Sequence, residues 1–376
     1  MMKHFVYADN AATSQLSPGA LEAMLPWLKE EYANASQPYT FSRKPKKAIA
    51  DARETIADCI GASPEEIFFS SCGTESNNWV IQRALNNLQC KGIITSNIEH
   101  HAVLRACEAA EKYFGATVDY LQVQNDGAVN VDSLSATISK SHGLVSIMTA
   151  NNEIGTIQPV CELAEISHGM GCLFHTDAVQ AIGHIPVNVK DSGVDFLSAS
   201  AHKFNGPKGI GFLFVKKGVF LPPLICGGGQ ESGFRAGTEN VASIVGMATA
   251  LAENVSELEN NILHISDLES SLLHQLDEAG VRYHRNGSKN HIPGNISLSF
   301  EGFEGEAILH RLDLLGIHIS TGSACDSKET KISHVLQAIG LEPDLAKGTI
   351  RISLGKNNTQ DDVQIIAKAL KKVIAR

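Results

Sequence analysis

The sequence of 376 residues lacks three features that would suggest a membrane or nucleic-acid partner. It has no apolar run long enough to span a membrane, and its opening residues (MMKHFVYADN) lack the apolar core of a signal peptide. It also lacks excess positive charge, because 41 acidic residues outnumber 31 basic ones. We therefore expect a cytoplasmic protein with no membrane association and no direct nucleic-acid binding.

Paired cysteines are missing as well. The eight cysteines are scattered, and none of them forms a C-x-x-C pair. This spacing argues against a disulfide framework and against a zinc knuckle. The sequence predicts free thiols in a reducing compartment and no metal site.

Helical and strand-like segments alternate from about residue 17 to residue 215. Helices are predicted near 17–31, 45–61, 75–88, 101–113 and 160–169, and strands near 67–70, 92–95, 117–121, 144–149, 172–175, 194–199 and 210–215. This alternation predicts an α/β fold in which helices cover a mostly parallel sheet of seven strands.

The pattern changes after a long helical run near residues 240–278. Strands are then predicted at 295–300 and 351–354, and helices at 305–315 and 360–375. We predict a large domain over residues 15–255 and a small α+β C-terminal domain over 256–376, which also includes residues 1–14. A cleft between the two domains is expected.

Lys203 is the most informative residue. It lies in SASAHKFNGPKG, where an apolar strand-like run precedes it and a Gly/Pro turn follows. A lysine at a strand end can form an imine with an aldehyde cofactor, and neighbouring Ser and His side chains can bind a phosphate. Together with the segments HTDAVQ and GTE upstream, this pattern indicates pyridoxal 5'-phosphate as the cofactor.

An acid beside the pyridine nitrogen is the second requirement of this cofactor. Asp177 follows a predicted strand and suits that role, and Gln180 could contact the ring hydroxyl. Asp is also a common N-cap residue, so Asp177 alone could equally cap a following helix.

A phosphate cradle and a group against the ring face are also required. Gly73 and Thr74 open a predicted helix, whose N-terminal N–H groups favour an anion, and Ser200 and His202 would complete the cradle. His100 follows a strand and could stack on the ring. The adjacent pair His100 and His101 leaves that choice open on spacing alone.

Cys325 and Arg351 are the candidates for contact with the substrate. Cys325 lies in the small, polar segment STGSACDSK, which is typical of an exposed loop, whereas a structural cysteine prefers apolar surroundings. Arg351 has apolar neighbours, and a buried arginine needs an anion such as a substrate carboxylate.

The chain resembles the cysteine desulfurases of the NifS/IscS type, within the class V aminotransferase group of fold-type I pyridoxal-phosphate enzymes. The similar segments are YADNAAT, SSCGTESNN, EHHAV, NNEIGTIQP, FHTDAVQAIG, SASAHKFNGPKGIGFLFV, GGGQESGFRAGTEN, STGSAC and RISLG. They extend nearly from end to end, and in this order they are highly specific.

The resemblance implies a role for each matching residue. Cofactor contacts fall on Gly73, Thr74, His100, Asn152, Asp177, Gln180, Ser200, His202, Lys203 and Thr238, and substrate contacts on Arg351, Asn34 and Asn152. Thr238 would reach the partner subunit's phosphate, which implies a homodimer. Lys203 and His100 would move protons, and Cys325 would be the nucleophile.

The implied reaction converts L-cysteine to L-alanine and leaves a persulfide on Cys325, from which a sulfur-acceptor protein takes the sulfur. An iron–sulfur scaffold, a tRNA-thiolation relay or a DNA-modifying partner would each suit as acceptor, and an iron–sulfur contact through Cys325 stays open. Three residues depart from the family pattern: Tyr39, Cys72 and Asp326. The alternatives are a selenocysteine lyase or an aminotransferase of the same group, and a non-catalytic sulfur-relay or scaffold protein.

Overall fold

The computed structural model describes residues 5–84, 91–321 and 332–375. Its strands are β1 (Val6–Tyr7), β2 (Ile67–Ser70), β3 (Gly92–Ser96), β4 (Thr117–Leu121), β5 (His142–Ser146), β6 (Leu173–Asp177), β7 (Phe196–Ser200), β8 (Gly211–Val215), β9 (His284–Asn286), β10 (Asn295–Ser299), β11 (Ile317–His318) and β12 (Thr349–Ser353). Its α-helices are α1 (Pro18–Lys29), α2 (Arg43–Ile60), α3 (Gly73–Arg83), α4 (His101–Phe114), α5 (Val131–Thr137), α6 (Val160–Gly169), α7 (Val189–Ser192), α8 (Val241–Ser256), α9 (Leu258–Glu278), α10 (Gly305–Leu314), α11 (His334–Ala338), α12 (Pro343–Lys347) and α13 (Gln360–Ile374).

The large sheet has seven strands within the described residues, in the order β2-β8-β7-β6-β5-β3-β4. Strands β4, β3, β5, β6 and β7 are parallel, and β8 runs antiparallel to both of its neighbours, β7 and β2. The predicted fold class, a mostly parallel α/β sheet, is confirmed. The seven predicted strands correspond to β2–β8, with ends displaced by no more than about three residues.

The central strands form where the sequence has short apolar runs. Every residue of β3, β5, β7 and β8 is buried, whereas four of the five residues of the edge strand β4 are at least partly exposed. Parallel strands covered by helices on both faces are expected to show such continuous apolar runs rather than alternation.

Helix ends follow ordinary capping rules. Ser17 caps α1 by accepting a hydrogen bond from the Ala20 N–H at 3.0 Å, and Pro18 occupies the first turn. Gly61 ends α2 in the left-handed conformation, with φ of +72°. The helical run predicted near 240–278 is interrupted at Glu257, so it forms the two helices α8 and α9.

The C-terminal part has its own sheet, in which β10 pairs antiparallel with β9 and β12, while β1 pairs with β11. A second apolar cluster includes Val6, Ile265, Leu298 and Leu370, and it is separate from the cluster of the large sheet, which Val255 still contacts. This distribution supports the division into 15–255 and 256–376 with 1–14, which we retain as a proposal.

No helix in the described part of the chain combines the length and the apolar character that a membrane crossing requires.

Several strands of the large sheet end at the same edge of the sheet. Because β2 is parallel to β6 and β7, the carboxyl ends of these three strands meet at that edge. Ligands of open α/β sheets bind at such an edge.

Candidate active site

A cavity of about 310 Å³ lies at the carboxyl edge of the large sheet. Ten of the predicted site residues line it: Gly73, Thr74, His100, Asn152, Asp177, Gln180, Ser200, His202, Lys203 and Arg351. The structure therefore brings together the predicted lysine, the predicted acid and the predicted phosphate cradle.

Lys203 follows β7 on a single helical turn. Its Nζ donates hydrogen bonds to the carbonyl oxygens of Ala11 at 2.6 Å and Ala12 at 2.9 Å. Asn205 then turns the chain in the left-handed conformation, with φ of 63°, which Asn tolerates better than most residues. The His184 ring contacts the carbonyl oxygen of Lys203 at 2.9 Å, so both the amine and the backbone of the lysine are held in place.

Asp177 ends β6 and is only 6% exposed. Its Oδ2 accepts a hydrogen bond from Asn77 Nδ2 at 2.6 Å, and its Oδ1 accepts one from the Val179 N–H at 3.0 Å. The residues after Asp177 form turns, so the capping alternative is not what the structure shows. The carboxylate instead lines the cavity.

The beginning of α3 forms one wall of the cavity. A Cβ atom on Gly73 would lie 2.5 Å from Val179 Cγ2, so only glycine allows the helix to approach this closely. Thr74 follows on the helix, and Ser200 and His202 approach from the lysine loop. Free N–H groups at a helix N-terminus together with hydroxyl groups fit a phosphate group.

His202 and His100 both face this cavity as neutral rings. Burial and the nearby charges of Lys203 and Lys208 lower the pKa of His202 to about 4. Burial also lowers the pKa of His100, although the Asp177 carboxylate opposes that effect. A neutral His100 ring can stack against an aromatic cofactor without bringing another positive charge next to the lysine.

Of the two adjacent histidines, His100 lines the cavity and His101 does not. His100 lines the cavity, and its Nδ1 accepts a hydrogen bond from the Ala102 N–H at 3.1 Å. In the neutral ring this contact places the proton on Nε2. His101 instead packs on His334, with ring centroids 4.8 Å apart.

Arg351 lies on β12 and is 5% exposed. Its guanidinium donates to Asp9 Oδ1 at 2.7 Å and to the carbonyl oxygen of Asn152 at 2.8 Å. The anion that the sequence required is therefore Asp9 in this structure. Sequence reasoning did not identify Asp9, although it lies in the YADNAAT segment.

Two predicted site residues, Thr238 and Asn34, do not line this cavity. Thr238 is exposed and lines a separate depression of about 230 Å³. Asn34 accepts a hydrogen bond from the Ser36 N–H at 2.9 Å, outside the cavity. Cys325 lies outside the described residues, as does Asp326.

Asn77 is a cavity residue that sequence reasoning missed. A signal for it existed, because it follows Gly73 by four residues on α3 and so shares the same helix face. Cys72 and Met148 also line the cavity.

The geometry defines an α/β enzyme site suited to a phosphorylated aldehyde cofactor, and comparison with known proteins agrees. Residues 6–366 match the family model described as "Aminotransferase class-V". The chain belongs to this family. A relative from Dictyoglomus turgidum named "Cysteine desulfurase IscS" is 47% identical over 378 aligned residues, which cover 100% of this chain and 96% of the relative.

Solved structures give the same result. A "NIFS-LIKE PROTEIN" superposes with a TM-score of 0.93 at 38% identity and covers 99% of both chains. "SspA in complex with cysteine" superposes with a TM-score of 0.83 at 35% identity, covering 94% of this chain and 100% of the other. The predicted resemblance to cysteine desulfurases is confirmed. Enzymes of this family depend on pyridoxal phosphate, which confirms the expected cofactor.

Proposed function

We propose that this protein is a pyridoxal-phosphate-dependent cysteine desulfurase, which converts L-cysteine to L-alanine and collects the sulfur as a persulfide. The observation that carries the proposal is the convergence of the Lys203 amine, the Asp177 carboxylate and the beginning of α3 on one cavity. Relatives at 41–47% identity that are named cysteine desulfurases support the choice of reaction.

When bound, pyridoxal phosphate supplies an electron-withdrawing ring that stabilises negative charge at the α-carbon of an attached amino acid. Lys203 would hold the aldehyde carbon, and its amine, once released, would take the α-proton. Asp177 would keep the ring nitrogen protonated. The N-terminus of α3, with Thr74, Ser200 and His202, would bind the phosphate.

His100 would stack on the ring, and Gln180 would contact the ring hydroxyl. The His100 ring is neutral and fixed by its bond to Ala102, so it offers a flat apolar surface and an N–H at Nε2. Gln180 Nε2 donates to the carbonyl oxygen of Ala11 at 2.9 Å, which orients its side chain. Asn152 lines the same cavity and would contact the ring hydroxyl region and the substrate.

Arg351 would bind the substrate carboxylate, with Asn34 as a second contact. In the sulfur-transfer step the Cys325 thiolate would attack the substrate sulfur. The S–S bond forms, the substrate C–S bond breaks, and the released carbon takes a proton to give alanine. The persulfide retains the sulfur until an acceptor protein removes it.

The remaining parts of the proposal concern partners and location. A homodimer would place the exposed Thr238 at the phosphate site of the partner subunit. The acceptor would be a protein of iron–sulfur cluster biogenesis or a thiolation relay, and the reaction would take place in the cytoplasm. Size determination in solution and a persulfide-transfer assay test these parts separately.

The central experiment loads the protein with pyridoxal phosphate and supplies L-cysteine with a reductant. We expect equal amounts of sulfide and alanine from the wild type, and loss of both in Cys325→Ala. Cys161→Ala is the matched control, because Cys161 is an exposed thiol that lies outside the cavity. Lys203→Ala should lose the visible absorption band of the bound cofactor.

Each alternative function predicts a different result of this experiment. Full sulfide release by Cys325→Ala would contradict the persulfide mechanism and favour a lyase or an aminotransferase. A wild-type protein that remains colourless with the cofactor would indicate a non-catalytic sulfur-relay protein.

A further inference from the structure

Asn77 contacts the acid of the cavity directly. It lies in α3, is 1% exposed, and lines the cavity. Its Nδ2 donates to Asp177 Oδ2 at 2.6 Å. Because an ionised carboxylate only accepts hydrogen bonds, the amide nitrogen of Asn77 must face Asp177.

The two oxygens of Asp177 are held by two different elements. Asn77 of α3 binds Oδ2, and the backbone of Val179, in the turn after β6, binds Oδ1. Two donors fix the plane of the carboxylate. Neither donor brings a net positive charge that would compete with a protonated ring nitrogen.

The oxygen of the Asn77 amide shows that packing alone does not explain the presence of an asparagine at this position. Asn77 Oδ1 is buried and has no hydrogen-bond partner within the described residues. A buried polar atom without a partner is costly, and an apolar side chain of similar size would avoid that cost. The hydrogen bond that Asn77 Nδ2 donates to Asp177 offsets this cost.

We infer that Asn77 is a positioning residue, whose amide keeps the Asp177 carboxylate oriented toward the ring nitrogen of the cofactor. This inference rests on the proposed function. Gly73, at the proposed phosphate end, and Asn77 are four residues apart, or about 6 Å along the axis of one helix. Helix α3 therefore sets the spacing between the phosphate site and the acid.

The test measures cofactor binding rather than turnover. Pyridoxal phosphate is titrated into cofactor-free wild type, Asn77→Ala and Asn77→Asp, and the bound spectrum is recorded across pH. Asn77→Ala removes the donor, and we expect affinity to fall by roughly tenfold or more, as for loss of a hydrogen bond to a charged group. Asn77→Asp is nearly isosteric but sets two carboxylates against each other, so it should weaken binding further and displace the pH at which the visible band titrates.

Gln82→Ala is the control, because Gln82 lies on the same helix outside the cavity and bonds only Asn78 among the described side chains. The cofactor affinity and the spectral titration of Gln82→Ala should match those of the wild type. Wild-type affinity and an unchanged spectral titration in both Asn77 variants would overturn the inference. Should Asn77→Ala fail to fold, the isosteric Asn77→Asp decides alone.

Two further outcomes separate failure of the proposed function from failure of the inference about Asn77. A wild type that binds the cofactor and releases no sulfide from cysteine would contradict the proposed function, while the binding comparison would still decide the role of Asn77. A wild type that binds no cofactor would overturn both.

Discussion

Glu99 is a fully buried carboxyl group directly before His100 in the chain. Its Oε1 accepts hydrogen bonds from Ser96 Oγ at 2.7 Å and from the Met148 N–H at 2.9 Å, while its Oε2 has no partner in the described part of the chain. Burial raises the pKa of Glu99 to about 8, and the charge of Asp177 adds to the effect. We therefore expect Glu99 to be protonated in the folded protein at neutral pH.

The raised pKa makes stability depend on pH in a definite direction. Between the ordinary pKa of 4.5 and about 8, the folded protein keeps a proton on Glu99 that the unfolded chain has released. The free energy of unfolding is therefore reduced as pH rises through this interval, by about 1.4 kcal/mol per pH unit and roughly 5 kcal/mol over the whole interval. The replacement Glu99→Gln is neutral at every pH and keeps the Oε1 acceptor.

The measurement is urea unfolding of both proteins, followed by circular dichroism and by tryptophan fluorescence, at about pH 6 and about pH 8. Other titrating groups cancel in the difference between the two proteins. From about pH 6 to about pH 8, the free energy of unfolding of Glu99→Gln should increase by roughly 2 to 3 kcal/mol relative to that of the wild type.

Glu54→Gln serves as the control for this comparison, because Glu54 is exposed on α2. Its difference from wild type should stay constant with pH. The reasoning would be refuted by a Glu99→Gln difference that is equally constant, since Glu99 would then be ionised in the folded protein.

Two further substitutions test packing at the cavity and charge compensation in an ion pair outside it. Gly73→Ala places a Cβ atom 2.5 Å from Val179 Cγ2, and we expect it to lower pyridoxal-phosphate affinity by about tenfold in a spectral titration, because the start of α3 must move. Arg53→Met leaves the Glu231 carboxylate buried without the two guanidinium bonds of 2.7 Å and 2.8 Å. It should reduce the free energy of unfolding by about 3–5 kcal/mol in urea titrations.

Each of these two substitutions has a matched control. A Cβ atom on Gly169 in α6 would meet no atom within 4 Å, so Gly169→Ala should leave cofactor affinity unchanged. Lys47 pairs with Asp51 on the surface, with the lysine side chain 75% exposed, so Lys47→Met should cost less than about 1 kcal/mol. Equal effects of test and control in either pair would contradict the packing or the charge argument.

The large sheet was predictable because its strands are buried on both faces and therefore read as short apolar runs in the sequence. The pairing of β1 with β11 was not, because it joins two-residue segments near residues 6 and 317, and neither segment has a pattern of its own. The interruption at Glu257 was also missed. Apolar residues continue through it, so the periodicity gives no sign of a new helix.

The residues of the cavity also differ in whether a local sequence pattern predicts them or only a contact with a residue far away in the sequence reveals them. Asp177 and Lys203 each follow a predicted strand, and strand ends at one edge of a sheet must meet. The spacing of Asn77 from Gly73 places both residues on one helix face, but the hydrogen bond from Asn77 to Asp177 joins residues 100 positions apart, which no local pattern predicts. The contact between Asp9 and Arg351 joins residues 342 positions apart, so no local pattern could predict it.

That distant contact bears on how a substrate would be recognised. The Arg351 guanidinium is buried, and Asp9 compensates its charge before any ligand arrives, which avoids the large penalty of an isolated buried cation. A substrate carboxylate would therefore meet an arginine already oriented by Asp9 and by the carbonyl oxygen of Asn152. Arg351 Nε is buried and has no partner among the described residues. In the proposed function, Asp9 would thus keep Arg351 ordered and would reduce the attraction of the arginine for the carboxylate of an amino acid.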